Sequence, residues 1–339
     1  MACSATWDGG PSPAIAALVS SYRRPEFLPG LVAALEAQRL PYESYEVVLV
    51  DNGSGDRTWE ALREHVARTP TRMVATLLAT NRGPGGGRNV GARLVRAPFI
   101  AMTDDDCLPT EGWLAAMLEA FEAGFDVVQG RVRAETKSPE LTGPWDHKIW
   151  VNFPTPFYET SNVGYRRSAF EGVGGFDESD SLTSRFGGRA FGEDAVLAYR
   201  VQANGGRAGW AEDSVVEHRW IASDYARYLA DRRQMSGFPG LARRSPIVAS
   251  WLWHGVFLDR QTAEFDLAVA GGVAAVLSRR PLLLGTALPW LVRRWKEARL
   301  RSGRRIRGGT PVLARLAWGD AVGLAALVKG SIKHRRLVL

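Results

Sequence analysis

Residues 97–107 read APFIAMTDDDC, an apolar segment followed directly by three carboxylates. Acidic residues cluster in this way behind a buried strand for few reasons, and a frequent chemical one is a divalent cation that bridges two phosphates. Mg²⁺ and Mn²⁺ prefer carboxylate oxygens, and the first and third residues of an extended run point to the same side. Asp104 and Asp106 could therefore face one site with Asp105 turned away, although a charged turn after a strand explains the same residues.

Apolar runs alternate with helix-like stretches through the first 130 residues. The predicted strands are 14–20, 45–50, 72–78, 98–103 and 126–130, and the predicted helices are 28–39, 58–69, 87–95 and 112–123. This alternation predicts βαβ units, and therefore an α/β fold with a mostly parallel sheet flanked by helices.

Polar residues follow three of the predicted strands at the point where each strand ends. They are SSYRR at 20–24, DNGSGD at 51–56 and the acid run at 104–106. Ligands of parallel α/β sheets bind beyond the carboxyl ends of the strands. We therefore expect all three groups to lie along one edge of one sheet.

Composition sets broad limits on the class of protein. The chain has 339 residues, of which 45% are hydrophobic, so a large core is expected. Cys3 and Cys107 are the two cysteines, which predicts no disulfide framework and favours a reducing, cytoplasmic setting. No secretory signal is expected from the first residues. Residues 290–339 carry a net charge of +11 and the rest of the chain −4, so the basic excess belongs to the tail.

The region after residue 225 is expected to form a separate helical, basic and apolar part, 226–339, behind a catalytic domain at 1–225. An arginine pair interrupts its apolar stretch 265–292, leaving two pieces of 11–12 residues, and a membrane-spanning helix needs about 20. Such segments suit either packing on a partner or a peripheral position on the inner face of a membrane. Nucleic acid is not an expected partner, because an apolar helix accompanies the charge.

Six elements, spread over about 200 positions, resemble family 2 glycosyltransferases with the GT-A fold. The resemblance covers residues 14–220. In chain order the elements are VSSYRRP at 19–25, VLVDNGSGD at 48–56, NRGPGGGRNVG at 81–91, DDD at 104–106, GGFDE at 174–178 and GED at 192–194. Their shared order makes the resemblance specific, although each element alone is weak.

The resemblance implies a nucleotide-diphosphate sugar as donor, with a UDP-sugar expected. Asp51 would hydrogen-bond the base, Tyr22 would stack near it, Arg24 would reach a phosphate, and the glycine-rich segment would allow close approach of the ligand. Ordinary turn chemistry also explains Asp51, and packing or solvation explains the other two. The expected donor-binding residues are Ser20, Tyr22, Arg24, Asp51, Asn81, Gly83, Arg88, Asp104 and Asp105.

The resemblance also implies a metal site and a general base. Asp106 and His218 would bind Mg²⁺ or Mn²⁺, and Cys107 is expected to be a packing residue. Asp194 would take the proton from the attacking hydroxyl, with Glu193 as the alternative. The acidic pair would also stabilise the start of a helix.

The expected function is an inverting, metal-dependent glycosyltransferase. Its acceptor would be a cell-envelope or lipid-linked glycan, or a small-molecule natural product. Trp145, Trp150 and Phe153 could face the acceptor, although core packing is the default expectation for them. Residues 184–192 could form a lid over the donor or, equally, a slack surface loop. A nucleotidyltransferase is the nearest enzyme alternative, although 20–25 lacks the glycines of its phosphate loop. The second alternative is a non-catalytic protein that binds a nucleotide sugar. The sequence leaves the oligomeric state open.

Overall fold

The computed structural model describes residues 1–8, 10–135, 144–145, 149–178, 191–303 and 306–339. The expected lid lies outside the described residues as far as residue 190. The chain divides into two compact units: the first contains residues 1–138 and 148–220, and the second contains 139–147 and 221–339. The division at residues 225 and 226 stays a prediction about domains.

The first unit alternates strands and helices. Its strands are β1 (Ala2–Cys3), β2 (Ile15–Ser21), β3 (Tyr45–Asp51), β4 (Arg72–Leu77), β5 (Phe99–Asp104), β6 (Cys107–Pro109), β7 (Val127–Ala134), β8 (Val163–Arg166) and β9 (Ala208–His218). Its helices are α1 (Leu28–Glu36), α2 (Thr58–Arg68), α3 (Gly83–Ala92), α4 (Trp113–Glu122), α5 (Arg167–Gly172) and α6 (Glu193–Ala203), with a 3-10 turn at Thr160–Asn162.

These strands form one sheet in the order β1-β4-β3-β2-β5-β8-β7-β9-β6. Strands β4, β3, β2 and β5 are parallel neighbours, whereas β8 pairs antiparallel with both β5 and β7. The predicted α/β sheet with flanking helices is confirmed. Its parallel pairing extends to β5, and the pairing is mixed beyond that strand.

Strand β3 shows how the core holds this sheet. Val47 and Leu49 belong to the apolar cluster on one face, and Val48 and Val50 belong to the cluster on the other. Successive side chains of a strand point to opposite faces, so an unbroken apolar run is buried on both sides. The central strands are therefore held firmly, and their carboxyl ends form a rigid edge.

Helix α3 begins at Gly83, four residues before the predicted start at 87. Pro84 stands in its first turn, where proline is tolerated because no intrahelical donor is lost. A Cβ on Gly87 would lie 2.2 Å from the Ser20 Oγ, and one on Gly91 would lie 2.2 Å from the Leu18 side chain. These two glycines therefore let α3 pack against β2. The expectation that the glycine-rich segment allows close approach of a ligand stays a prediction.

The second unit is helical. Its helices are α7 (Tyr225–Gln234), α8 (Phe238–Arg244), α9 (Pro246–Trp251), α10 (Arg260–Ser278), α11 (Leu288–Arg301) and α12 (Ile306–His334), with 3-10 turns at Met235–Gly237 and Pro281–Ala287. By length and apolar composition alone, residues 308–334 of α12 could cross a membrane. Leu316 and Leu327 are buried, however, and Asp320 accepts hydrogen bonds from the buried Arg294 and from the Trp290 indole. Helix α12 therefore packs within its own unit.

Candidate active site at the carboxyl edge of the sheet

Three strand ends meet at one edge of the sheet. The register places Ser21 of β2 beside Asp51 of β3, and Ser20 of β2 beside Asp104 of β5. The polar groups that follow these strands are therefore neighbours, as the sequence predicted. Because the strands are parallel, their carbonyl ends and the loops that leave them share one side.

Asp105 is directed toward the end of β2. Its Oδ2 accepts a hydrogen bond of 2.7 Å from the Ser21 hydroxyl and one of 3.4 Å from the Tyr22 amide. Burial raises the pKa of Asp105 to about 6, opposed by the nearby Arg24 guanidinium and reinforced by the charge of Asp106. Asp105 thus holds two strand ends together, and these contacts leave the other two acids of the run to face elsewhere.

Arg24 forms ion pairs with two residues of the acid run, Asp105 and Asp106. Its Nη1 is 2.9 Å from the Asp105 Oδ1 and also contacts the Asp106 Oδ2. The Arg24 side chain is 38% exposed, so it is accessible to a ligand while it neutralises the acids. The sequence predicted a phosphate contact and did not predict this ion pair.

Asp106, Cys107 and His218 form a compact group of potential metal ligands. Their donor atoms all lie within 4.8 Å of one another, and all three residues are buried. The His218 Nε2 is 3.5 Å from the Asp106 Oδ1, and the His218 Nδ1 is 2.7 Å from the Arg219 carbonyl. A bond from Nδ1–H to that carbonyl fixes the tautomer in which Nε2 carries a lone pair. Oxygen and imidazole donors in this arrangement fit a divalent cation.

One carboxylate oxygen of Asp51 accepts a hydrogen bond within the protein, and the other accepts none. Its Oδ1 accepts a 2.9 Å hydrogen bond from the Ser54 amide, which is the turn role expected of this residue. Its Oδ2 is buried and has no hydrogen-bond partner in the structure. A buried carboxylate oxygen without a partner is costly, so a ligand donor would relieve this cost. Tyr22, the expected stacking residue, directly follows β2, and 36% of its surface is exposed.

Asn81 shapes the turn into α3. Its Oδ1 accepts a 2.7 Å hydrogen bond from the Gly83 amide and lies 3.3 Å from the Asn52 Nδ2. The Gly83 φ of +76° is in the left-handed region that glycine adopts readily. Asn81 and Gly83 therefore shape the turn that leads into α3, and their expected role in donor binding stays a prediction.

Arg88 joins the acid run to the start of α6. Its buried guanidinium is 2.5 Å from the Asp104 Oδ1 and 3.6 Å from the Glu193 Oε1. Asp104 and the neighbouring Asp194 also raise the pKa of Arg88, although burial opposes them. The structure thus places Arg88 as a bridge between two acids, and its expected contact with the nucleotide stays a prediction.

Asn89, which follows Arg88 in α3, holds the GGFDE element in place. Its Oδ1 accepts a 2.9 Å bond from the Phe176 amide, and its Nδ2 donates a 2.8 Å bond to the Phe176 carbonyl. Two bonds to the backbone of this one residue hold residues 174–178 against α3. Both polar ends of the Asn89 side chain therefore have partners within the protein.

Asp194 lies in the first turn of α6, after Gly192 at φ +70°. Its Oδ2 accepts bonds of 3.1 Å and 3.3 Å from the Thr160 amide and hydroxyl, and its Oδ1 is buried without a hydrogen-bond partner. Burial raises the pKa of Asp194 above its ordinary value, Arg88 opposes this effect, and the charge of Glu193 adds to it. A carboxylate with a raised pKa and an uncommitted oxygen has the properties of a general base.

Several residues that support the site were not predicted from the sequence. Ser21 positions Asp105 and lies in the VSSYRRP element, but the expected donor-binding residue of that pair was Ser20. Thr160 positions Asp194 and lies outside all six family elements. The polar run TSN at 160–162 was the available signal. Of the expected acceptor aromatics, Trp150 and Phe153 are exposed in the first unit. Trp145 belongs to the second unit, where it packs against Tyr225 and Tyr228, in agreement with the default expectation of core packing.

Comparison with curated proteins finds relatives that transfer sugars. An undecaprenyl-phosphate 4-deoxy-4-formamido-L-arabinose transferase of Edwardsiella ictaluri is 34% identical over 110 residues, covering 32% of this chain and 33% of its own length. The validoxylamine A glucosyltransferase of Streptomyces hygroscopicus subsp. jinggangensis is 27% identical over 228 residues, 57% of this chain and 52% of its own. The succinoglycan biosynthesis protein ExoO of Rhizobium meliloti is 34% identical over 179 residues, 48% of each. The chain thus spans between a third and about half the length of these relatives.

Solved structures with the same fold cover nearly the whole chain. A mannosyltransferase from Pyrobaculum calidifontis, in complex with GDP-Man and Mn²⁺, aligns with a TM-score of 0.55 at 20% identity, over 97% of this chain and 90% of that one. S. aureus TarS in complex with UDP aligns with a TM-score of 0.50 at 18% identity, over 95% and 92%. Residues 17–174 match the model of glycosyl transferase family 2. Residues 17–174 thus form a glycosyl transferase family 2 domain, and the chain has the GT-A fold.

Proposed function

We propose that the protein is an inverting glycosyltransferase that requires a divalent cation and moves a sugar from a nucleotide-diphosphate sugar to an acceptor hydroxyl. The observation that carries this proposal is the Arg88 bridge between Asp104 and Glu193. It supports a single reaction centre in which the acids after β5 and the acids that open α6 act together. Family membership argues against the nucleotidyltransferase alternative.

The acids at the strand ends would bind the donor. Asp51 would accept a hydrogen bond from the base at its uncommitted Oδ2, and Asp104 would face the ribose. Asp106 and His218 would hold the divalent cation. When bound, the cation neutralises the negative charge that develops on the departing nucleoside diphosphate. Arg24, exposed beside the same acids, would contact the diphosphate.

Asp194 would act on the acceptor side. Its uncommitted Oδ1 would take the proton from the attacking hydroxyl, while Thr160 holds the other oxygen in place. One base that activates an acceptor for direct displacement leads to inversion at the sugar carbon. Glu193 is less suited to this role, because Arg88 contacts its carboxylate.

The donor is proposed to be a UDP-sugar. The UDP complex of TarS supports this nucleotide, whereas the mannosyltransferase complex holds GDP-Man. A panel of UDP-, GDP- and dTDP-sugars with Mn²⁺ or Mg²⁺, scored by release of nucleoside diphosphate, tests the proposal. We expect metal-dependent release from UDP-sugars. Binding of a nucleoside diphosphate without turnover of any donor would favour the non-catalytic alternative.

The acceptor is proposed to be a cell-envelope or lipid-linked glycan. The undecaprenyl-phosphate transferase and the succinoglycan protein among the relatives support this class. A small-molecule natural product is the second candidate, because the validoxylamine A glucosyltransferase matches 57% of the chain. Adding each acceptor class to the active donor separates the two, since the true acceptor should increase nucleotide release above hydrolysis.

An exposed apolar surface in the second unit supports a peripheral position on an anionic membrane, on the cytoplasmic side. We define the α10–α11 tip as residues 276–288. Leu277 is 80% exposed and Leu282 is 92% exposed, and Arg279 and Arg280 are exposed between them. Apolar side chains beside arginines suit the interface between anionic headgroups and acyl chains. Each basic residue near such a surface adds about 1 kcal/mol.

The protein should therefore sediment with phosphatidylglycerol vesicles at low salt and release as salt rises. The double variant Leu277→Asp, Leu282→Asp should bind at least about tenfold more weakly, because burying each leucine is worth about 1.5–3 kcal/mol. Leu337→Asp, at an exposed position outside the tip, is the control and should bind like the unaltered protein. Full-length protein that stays unbound to anionic vesicles at low salt would contradict this proposal.

A further inference from the structure

Cys107 lies in the same group of donor atoms as Asp106 and His218. It begins β6, which pairs antiparallel with β9, and Cys107 stands directly opposite His218 in that pairing. Residues opposite each other on antiparallel strands carry their side chains on the same face of the sheet. Thiol and imidazole are therefore brought to one side by the backbone itself.

The Asp106 carboxylate has its two oxygens in different surroundings. Arg24 contacts Oδ2, whereas Oδ1 faces the Cys107 Sγ at 3.8 Å and the His218 Nε2 at 3.5 Å. In a tetrahedral site, bond lengths of about 2.0–2.3 Å place neighbouring donors about 3.3–3.8 Å apart. The two observed separations are close to those edges. Two of the three donor separations thus match those of a bound cation, and all three donor atoms lie within 4.8 Å of one another.

We propose that Cys107 is a third protein ligand, so that the cation site of this chain is an oxygen, nitrogen and sulfur site that binds thiophilic metals such as Zn²⁺, Co²⁺ and Cd²⁺ tightly. The inference rests on the proposed function and deepens it at the metal site. Cys107 binds as the thiolate: the metal–sulfur bond forms as the S–H bond breaks, and the proton passes to the buffer. Thiolate ligands select soft cations, whereas carboxylates suit Mg²⁺ and Mn²⁺.

The consequence is a preference among metals. Co²⁺ and Cd²⁺ should bind through sulfur, and Mg²⁺, which demands oxygen ligands, should depend little on the thiol. The residues proposed to bind the nucleotide sugar and the acceptor are the same whichever metal ion binds. A purely oxygen and nitrogen site would show neither the sulfur signature nor the preference for soft cations.

The test uses the full chain stripped of metal with a chelator. Co²⁺ added to the unaltered protein should produce the near-ultraviolet absorption of a thiolate–cobalt bond, and calorimetry should give Cd²⁺ an affinity at least about tenfold above that of Cys107→Ser. Cys3→Ser is the matched control, because Cys3 is the other cysteine and is exposed on β1. It should keep both the absorption and the affinity. His218→Ala should weaken Cd²⁺ binding as well.

Two outcomes overturn the inference. One is bound Co²⁺ without the absorption band in the unaltered protein, a measurement that does not depend on any variant folding. The other is equal Cd²⁺ affinity in the unaltered protein and in folded Cys107→Ser. Sugar transfer with Mn²⁺ but without the thiolate–cobalt absorption would exclude Cys107 as a metal ligand and would still support the proposed function. Thiolate–cobalt absorption without sugar transfer from any donor would exclude the proposed function and would still support Cys107 as a metal ligand.

Discussion

Asp194→Asn should lower the rate of sugar transfer by about 10²–10⁴-fold while nucleotide binding stays close to that of the unaltered protein. The asparagine oxygen can still accept both hydrogen bonds from Thr160, so the start of α6 should keep its position. What is lost is the group that takes the proton at the uncommitted oxygen. Single-turnover transfer, with nucleoside-diphosphate affinity measured in parallel, checks this result.

Glu193→Gln is the matched control for this experiment. Its carboxylate contacts Arg88, so the substitution should disturb an ion pair and cause a smaller loss of rate. If Glu193→Gln loses the larger share of activity, the roles of the two acids are reversed. Normal turnover by Asp194→Asn would remove Asp194 from the role of base.

The same assignment predicts a pH dependence. Burial raises the pKa of Asp194, so its base form is lost at a higher pH than for an ordinary aspartate. Transfer should therefore rise with pH through a limb that lies above the usual range of carboxylates. A pH–rate profile of the unaltered enzyme should show this limb, and the profile of Asp194→Asn should lack it.

Asp106→Asn should lower transfer by at least about a thousandfold, or about 4 kcal/mol, because a bound cation contributes several kcal/mol to stabilising the leaving group. Affinity for Mn²⁺, followed by electron paramagnetic resonance, should fall with it. Removal of metal from the unaltered enzyme by a chelator should have the same effect on transfer and should be reversed by adding Mn²⁺.

Asp105→Asn is the control at the neighbouring position. Asp105 contacts Ser21, Tyr22 and Arg24 and does not belong to the donor group of Asp106. Mn²⁺ affinity should therefore change little, even if stability falls. Unchanged metal affinity in Asp106→Asn would move the cation to other ligands, and transfer that survives complete metal removal would end the metal-dependent assignment.

The edge of the sheet was predictable because its signals are local. An apolar run such as VVLV at 47–50 is buried on both faces, which marks a parallel strand, and the polar residues after it mark the carboxyl edge. Three such ends were therefore expected to meet, and the register confirms that they do. The start of α3 was misplaced because glycine has a poor helix propensity, and tertiary packing against Ser20 outweighed it.

The partners of the charged residues were not predictable in the same way. Arg88 reaches Glu193, and Asp194 accepts from Thr160, across long stretches of chain. Hydrophobic periodicity carries no information about such pairs. The order of residues in the sequence placed the acidic and polar residues at the correct strand ends. It did not predict which of these residues contact one another.

By itself, the sequence determined the family, the α/β architecture and the acids that stand at the strand ends, because motifs and strand periodicity are properties of short segments. Only the tertiary structure decided that Asp105 anchors β2, that Arg88 bridges Asp104 and Glu193, and that Asp106, Cys107 and His218 share one donor group. The reason is physical. Hydrogen bonding, charge pairing and the raised pKa of Asp194 depend on burial and on distances between residues far apart in the chain.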